Sequence, residues 1–203
     1  MANSRVAVIN LALQLLGSAR IGSPTQEGKN AEETNACFDA LRDAEQRAHV
    51  WVFTLERAIL TPHAAVPLFT YGYAFPLPIG CLRIIKPTRT VLDWKIENHA
   101  GSPAILTNDG TSIQLRYVKR VTDESKFDPL FTIMLACSIA WWCCETITQS
   151  NTKKEAIEKR YALARNEARK VNAFEKVPDQ GPVDEWLTAM SNGGLADSSW
   201  LQE

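Results

Sequence analysis

Val6, Ile9, Leu13 and Leu16 recur at spacings of three and four, which marks one apolar helical face over residues 4–16. Gly17 follows at once and is placed to stop that helix. Residues 17–29, GSARIGSPTQEGK, read as a loop. A second helix is expected from Asn30 to about Val50. There the Asn30 side chain would cap free amides, with Glu33 three residues on completing a capping-box pair.

The pattern changes at Trp51. From there to Arg120 prolines cluster, and β-branched and aromatic residues alternate with polar ones. WVFTLERAIL, CLRIIKP, TVLDWKIEN, AILTND and TSIQLRYVKRV read as strands. YAFPLPIG carries Pro76 and Pro78, and a central strand cannot lose those amides, so this segment is an extended edge or a loop. Asn108-Asp109-Gly110 tolerates positive φ and predicts a hairpin turn between the last two strands.

Helical spacing returns at Asp128-Pro129, an N-cap followed by proline at the first helical position, and runs to about Gln149. Thr152 and Glu155 make another capping-box pair. The fourth helix after it turns Ile157, Tyr161, Leu163 or Ala164, Ala168 and Val171 inward. The order predicts an α+β fold: a four-helix bundle with a β-rich insert between helices 2 and 3 and an extended C-terminal tail. The expected divisions are residues 1–50, 51–122, 123–176 and 177–203.

The stretch Cys137–Ile147, CSIAWWCCETI, invites a metal or redox reading. Helical geometry argues against it. Cys137 and Cys144 share a face but stand roughly 10 Å apart along the axis. That is too far to share one zinc or to form a disulfide. Leu130, Met134, Cys137, Trp141, Cys144 and Thr148 instead form a core seam. The apolar run between Asp128 and Glu145 falls short of the about 20 residues of a membrane span, so a buried helix is expected. Trp142 lies beside that seam, facing a second helix or a neighbouring subunit.

Composition adds exclusions. The chain has 203 residues, 45% hydrophobic and 22% charged, with a formal net charge of -1. That balance does not suggest a nucleic-acid binder. The five cysteines are odd in number and read as reduced thiols. Asn10, Gln14 and Arg20 argue against a signal peptide at the first apolar run. His49, His63 and His99 show no metal-ligand spacing. Cys37 and His49 are about 18 Å apart along a helix, beyond the reach of a thiol catalyst and its base. Neither a nucleophile elbow nor a phosphate-binding glycine pattern is present. No catalytic, cofactor or metal residue is therefore assigned.

Two features suggest contacts instead. The fourth helix and its approach are basic, and Lys159, Arg160, Arg169 and Lys170, with Trp142, are candidates for contact with another subunit or an acidic partner. A solvated helix face is the plainer reading of those charges. Residues 177–203 hold five acids and no Lys or Arg, together with Trp186, Leu187, Met190, Leu195, Trp200 and Leu201. Large apolar residues in a segment too short for its own core dock onto something, either the same chain or a partner.

Several segments, in order, resemble the head-to-tail adaptor (tail tubular protein A) family of short-tailed bacteriophages. These are INLALQLLGSARIGSPTQEG, RDAEQRAHVWVFTLERAIL, YGYAFPLPIGCLRI and IQLRYVKRVTDESKFDPLF. The resemblance spans about residues 5–175 and rests on the ordered set rather than on one motif. It departs at Trp141, Trp142, Cys143 and Cys144, where the family pattern has alanine and leucine.

The resemblance implies a non-enzymatic virion protein of the tail, assembled in the host cytoplasm without a cofactor or membrane. It would form a ring, usually dodecameric, joining the portal protein to the tail nozzle protein (tail tubular protein B type). Double-stranded DNA would pass through without specific binding. The residues from Trp186 to Leu201 would belong to a portal-docking arm. Two other readings stay open: a tail-associated cell-wall hydrolase, and a nucleic-acid-binding helical module using the basic helix.

Overall fold

The computed structural model describes residues 4–87, 93–110 and 112–175. They form a mixed structure of four helices and two small antiparallel sheets, compatible with an α+β class.

Helix α1 (Arg5–Leu16) starts where the Ser4 hydroxyl accepts from the Ala7 amide at 3.2 Å. It ends at Gly17, whose φ of 66° sits in the left-handed region that glycine enters without penalty. Asn10 faces the following loop, donating to the Ile21 carbonyl at 3.0 Å and accepting from the Ile21 amide at 2.8 Å.

Helix α2 (Lys29–Ala48) corrects the expected cap: its N-cap is Gly28, which makes no side-chain cap bond. Asn30 already lies inside the first turn, and its amide donates to the Ala19 carbonyl at 3.1 Å, tying the loop to the helix instead.

Helix α3 (Pro129–Thr148) begins as the sequence predicts, with Asp128 accepting from the Leu130 and Phe131 amides at 2.8 and 3.1 Å. Helix α4 (Asn151–Phe174) begins earlier than the Thr152–Glu155 pair implies, because Ser150 caps it.

Helices α1, α2 and α4 all pack chiefly on α3. Burial therefore runs around α3 rather than along one seam. Met134, Cys137 and Cys144 are buried, but so are Leu135, Ala136, Ser138, Ile139, Ala140 and Cys143. A helix apolar on every side belongs inside a protein or a membrane. Pro129–Thr148 is in fact long and apolar enough to span a bilayer, contrary to the length argument from sequence; 61% of its most apolar window is buried inside this protein.

Four aromatic rings close the end of this helical core next to the sheets. Phe131 meets Trp51, Phe53 and Phe127 edge-on at 5.1, 5.0 and 5.2 Å between centroids. Each such pair adds about 0.5–1.5 kcal/mol beyond area burial. Trp51–Thr54 is thus an anchor and a 3-10 turn rather than the start of a strand.

The strands are β1 (Leu55–Leu60), β2 (Tyr73–Pro76), β3 (Cys81–Pro87), β4 (Trp94–His99), β5 (Ser102–Thr107) and β6 (Ile113–Lys119). They form two three-stranded sheets, ordered β1-β6-β3 and β2-β5-β4. Pro76 sits on the edge strand β2, as its missing amide requires. The expected hairpin at Asn108–Gly110 is not one, because β5 and β6 belong to different sheets. The true hairpin joins β4 to β5 through Ala100 and Gly101, both at positive φ (49° and 82°). Phe75 and Ile105 from one sheet pack with Leu60, Ile113, Leu115 and Tyr117 from the other.

Gln46 joins the sheets to α2. Fully buried, it donates to the Val121 carbonyl at 2.8 Å and accepts from the Val121 amide at 2.9 Å. Arg120 adds an ion pair to Asp43 at 2.7 Å.

Candidate functional site

The inner side of α4 packs Ile157, Ala164 and Ala168 on the core and adds two polar groups, Tyr161 and Asn172. Tyr161 donates to Glu45 Oε1 on α2, and Ser138 on α3 donates to the same oxygen at 3.3 Å. Glu45 is buried, so these hydroxyls replace the water it leaves. Burial, then the Glu45 carboxylate, push the Tyr161 phenol above its ordinary pKa. About three helical turns later, Asn172 is buried where the sequence pattern placed Val171. Its Oδ1 accepts from the Val52 amide at 2.9 Å, and its Nδ2 donates to the Val50 carbonyl at 2.9 Å. Val171 is exposed, correcting its inward assignment, and of the two alternatives Leu163 and Ala164 it is Ala164 that takes the half-buried position, with Leu163 exposed.

The outward side of α4 carries Lys159, Arg160 and Lys170, all exposed, and Arg169, half-buried. Arg160 also reaches the Cys137 thiol, whose pKa burial raises and that guanidinium partly restores. Two lysines of the basic set are used within the chain. Lys153 donates to the Leu16 carbonyl at the end of α1, and Lys154 pairs with Glu145 at 2.8 Å. Leu163 (71% exposed) and Phe174 (78%) share the outward side. Trp142 on α3 is 60% exposed, beside a shallow depression lined by Glu145, Thr146, Gln149 and Asn151. Among the described residues no other helix buries Trp142, which disfavours the second-helix alternative.

Large apolar side chains are also exposed in the loops between strands, and the sequence reading missed them. Leu68, Phe69 and Ile79 are exposed, Leu68 at 96% and Ile79 at 99%. The loop that presents Leu68 and Phe69 is held at its base. The His63 amide donates to the Ala74 carbonyl at 2.7 Å, and His63 Nδ1 accepts from the Ala65 amide at 3.1 Å. His99 Nε2 lies 2.9 Å from the Ala65 carbonyl, and the two imidazoles meet edge-on at 5.4 Å. The available signal was the uninterrupted run Val66-Pro67-Leu68-Phe69 between strands.

A chain of charges crosses α2. Arg5 bonds both Asp39 oxygens at 3.1 Å, Arg42 bonds Asp39 at 2.7 Å and Asp43 at 2.8 Å, and Arg120 completes it. Desolvation raises the Asp39 pKa, but the Arg5 hydrogen bond and the two guanidinium charges outweigh it and hold the carboxyl below its usual value.

All five cysteines are free thiols. Cys37 on α2 and Cys143 on α3 nonetheless place their sulfurs 3.5 Å apart. The Cys143 S–H toward Cys37 lowers the Cys37 pKa and raises that of Cys143 strongly. Cys144 turns elsewhere, to Thr148 Oγ1 at 3.3 Å. Among the described residues, no three His, Cys, Asp or Glu side chains are grouped to hold a metal ion. Trp186, Leu187, Met190, Leu195, Trp200 and Leu201 lie outside the described residues.

No family model matches the chain, and no curated protein matches it.

Proposed function

We propose that this protein is a structural subunit of a head-to-tail adaptor ring, joining a portal to a tail nozzle and forming part of the DNA channel. The order of two helices, two sheets and two helices supports that reading as a four-helix bundle with a β-rich insert.

The observation that carries it is the exposure of large apolar side chains in both parts of the chain: Trp142, Leu163 and Phe174 on the helices, and Leu68, Phe69 and Ile79 in loops between strands. A closed ring of identical subunits needs a heterologous contact, in which two different surfaces of one chain meet on neighbouring copies. Single exposed apolar residues are common; several on two faces fit an assembly subunit. The net charge of -1 suits a conduit, since a strongly basic lining would hold DNA through counterion release.

In this reading residues 177–203 are the portal arm, with Trp186 and Trp200 as its anchors. Capture of the chain on immobilised portal rings tests it. Trp186→Ala with Trp200→Ala should abolish capture while the circular dichroism spectrum is unchanged. Equal capture of the double variant ends the arm assignment.

A further inference from the structure

The helical core contains a second pair of groups with chemistry available to them, and it is independent of the adaptor reading. Cys37 and Cys143 come from helices α2 and α3, and their sulfurs stand 3.5 Å apart. A disulfide needs about 2.05 Å, so closure brings the two sulfurs roughly 1.5 Å nearer. The pair is asymmetric. Cys143 is 1% exposed, whereas Cys37 is only partly buried and meets solvent. Carbonyls of α2 lie beside both sulfurs, Thr34 O at 3.4 Å from Cys37 and Glu33 O at 3.7 Å from Cys143. Arg5 on α1 favours a thiolate at Cys37, and Glu33 opposes it. The other three cysteines have different surroundings. Cys137 faces Arg160, Cys144 faces Thr148, and Cys81 lies in β3.

We propose that Cys37 and Cys143 are an oxidative modification site that closes to an intramolecular disulfide when the protein meets a peroxide. Cys37 is the attacking sulfur, being the accessible one and the one its neighbour favours as thiolate. Its thiolate attacks one oxygen of hydrogen peroxide. The O–O bond breaks, an S–O bond forms, and the departing hydroxide takes up the proton that Cys37 released on ionising, giving water. The Cys143 sulfur then attacks the Cys37 sulfur. The S–O bond breaks, the S–S bond forms, and the hydroxyl leaves as a second water with the Cys143 proton. Two thiols and one peroxide give one disulfide and two waters. A reducing cytosol holds the pair open, and an external dithiol restores it. The closed bond ties α2 to α3 across the whole sheet region, a long loop of chain whose closure constrains the unfolded state.

The test treats the full-length folded protein with hydrogen peroxide, alkylates the remaining thiols in denaturant, and measures the intact mass and the tryptic map. The expected product has three alkylated cysteines and is two hydrogens lighter before alkylation. It links the peptide of residues 30–42 to that of residues 127–153, with fragmentation placing the bond at Cys143, and it melts higher than the reduced protein. Cys144→Ser keeps the link, and Cys143→Ser and Cys37→Ser each remove it. Five alkylated cysteines after treatment, a sulfinic acid at Cys37 without a link, or a bond to Cys137 or Cys144 overturns the proposal. The wild-type map decides the matter even if Cys143→Ser does not fold.

Discussion

The Tyr161 hydroxyl on α4 donates to Glu45 Oε1 on α2, joining two helices through residues 116 apart in the sequence. Tyr161→Phe leaves that buried carboxylate with Ser138 as its remaining hydroxyl donor. The expected cost is about 1–3 kcal/mol, read from urea unfolding. Ser138→Ala, which removes the longer bond, should cost less. Equal stability of Tyr161→Phe and wild type would mean the carboxylate does not depend on the phenol.

The same pair sets a pH dependence. Burial first, and Glu45 second, raise the Tyr161 pKa in the folded protein, so the folded state holds the phenolic proton more tightly than the unfolded chain. This contribution is complete below the unfolded tyrosine pKa of about 10 and is lost as pH rises through the folded value. Melting temperature should fall above about pH 10 by that linkage. The fall should be shallower in Tyr161→Phe, and parallel curves for the two proteins contradict the assignment.

Asn172 holds the Val50–Val52 segment to α4 through two backbone bonds of 2.9 Å. Asn172→Leu keeps the bulk but leaves the Val52 amide and Val50 carbonyl without that partner, at a cost of about 1–3 kcal/mol. Val171→Ala, on the outward side, should stay within about 0.5 kcal/mol of wild type. Chemical denaturation of the two variants distinguishes this arrangement from the one periodicity predicts, in which the order of effects is reversed.

Much of the framework is legible in the sequence, because Gly17, Asp128-Pro129 and the edge proline Pro76 act through local backbone chemistry. What failed is non-local. Asn108-Asp109-Gly110 has hairpin chemistry, yet strand partners are chosen by both sheets, and the chain passes from one to the other there. A polar residue in a helix reads as surface, so Asn172 lost its place to Val171 until its backbone partners were known. The seam of α3 was half right: three other helices cover it, and one stripe cannot describe that burial. Helical geometry disposed of pairs within α3, but Cys143 meets Cys37 on another helix, a contact no spacing encodes. Of the contact candidates, Lys159, Arg160 and Lys170 were legible as outward-facing and Trp142 only as lying beside the seam, whereas Leu68 and Phe69 were not legible, since an apolar run beside strands reads as core.

A heterologous ring makes an asymmetric prediction. Leu68→Asp with Phe69→Asp spoils one face, and Leu163→Glu with Phe174→Glu the other, with each variant folded and unable to form rings. Mixed together they should form a dimer that grows no further, because each retains the face the other lacks. Analytical ultracentrifugation reads this directly; unimpaired self-assembly of either variant removes those residues from the interface.

The connector reading itself is tested most directly by electron microscopy of the full-length chain mixed with portal rings. The account predicts an added ring of density on the tail-facing end of the portal, coaxial with its channel and absent for Trp186→Ala with Trp200→Ala. Portal particles unchanged by the wild-type chain would contradict it.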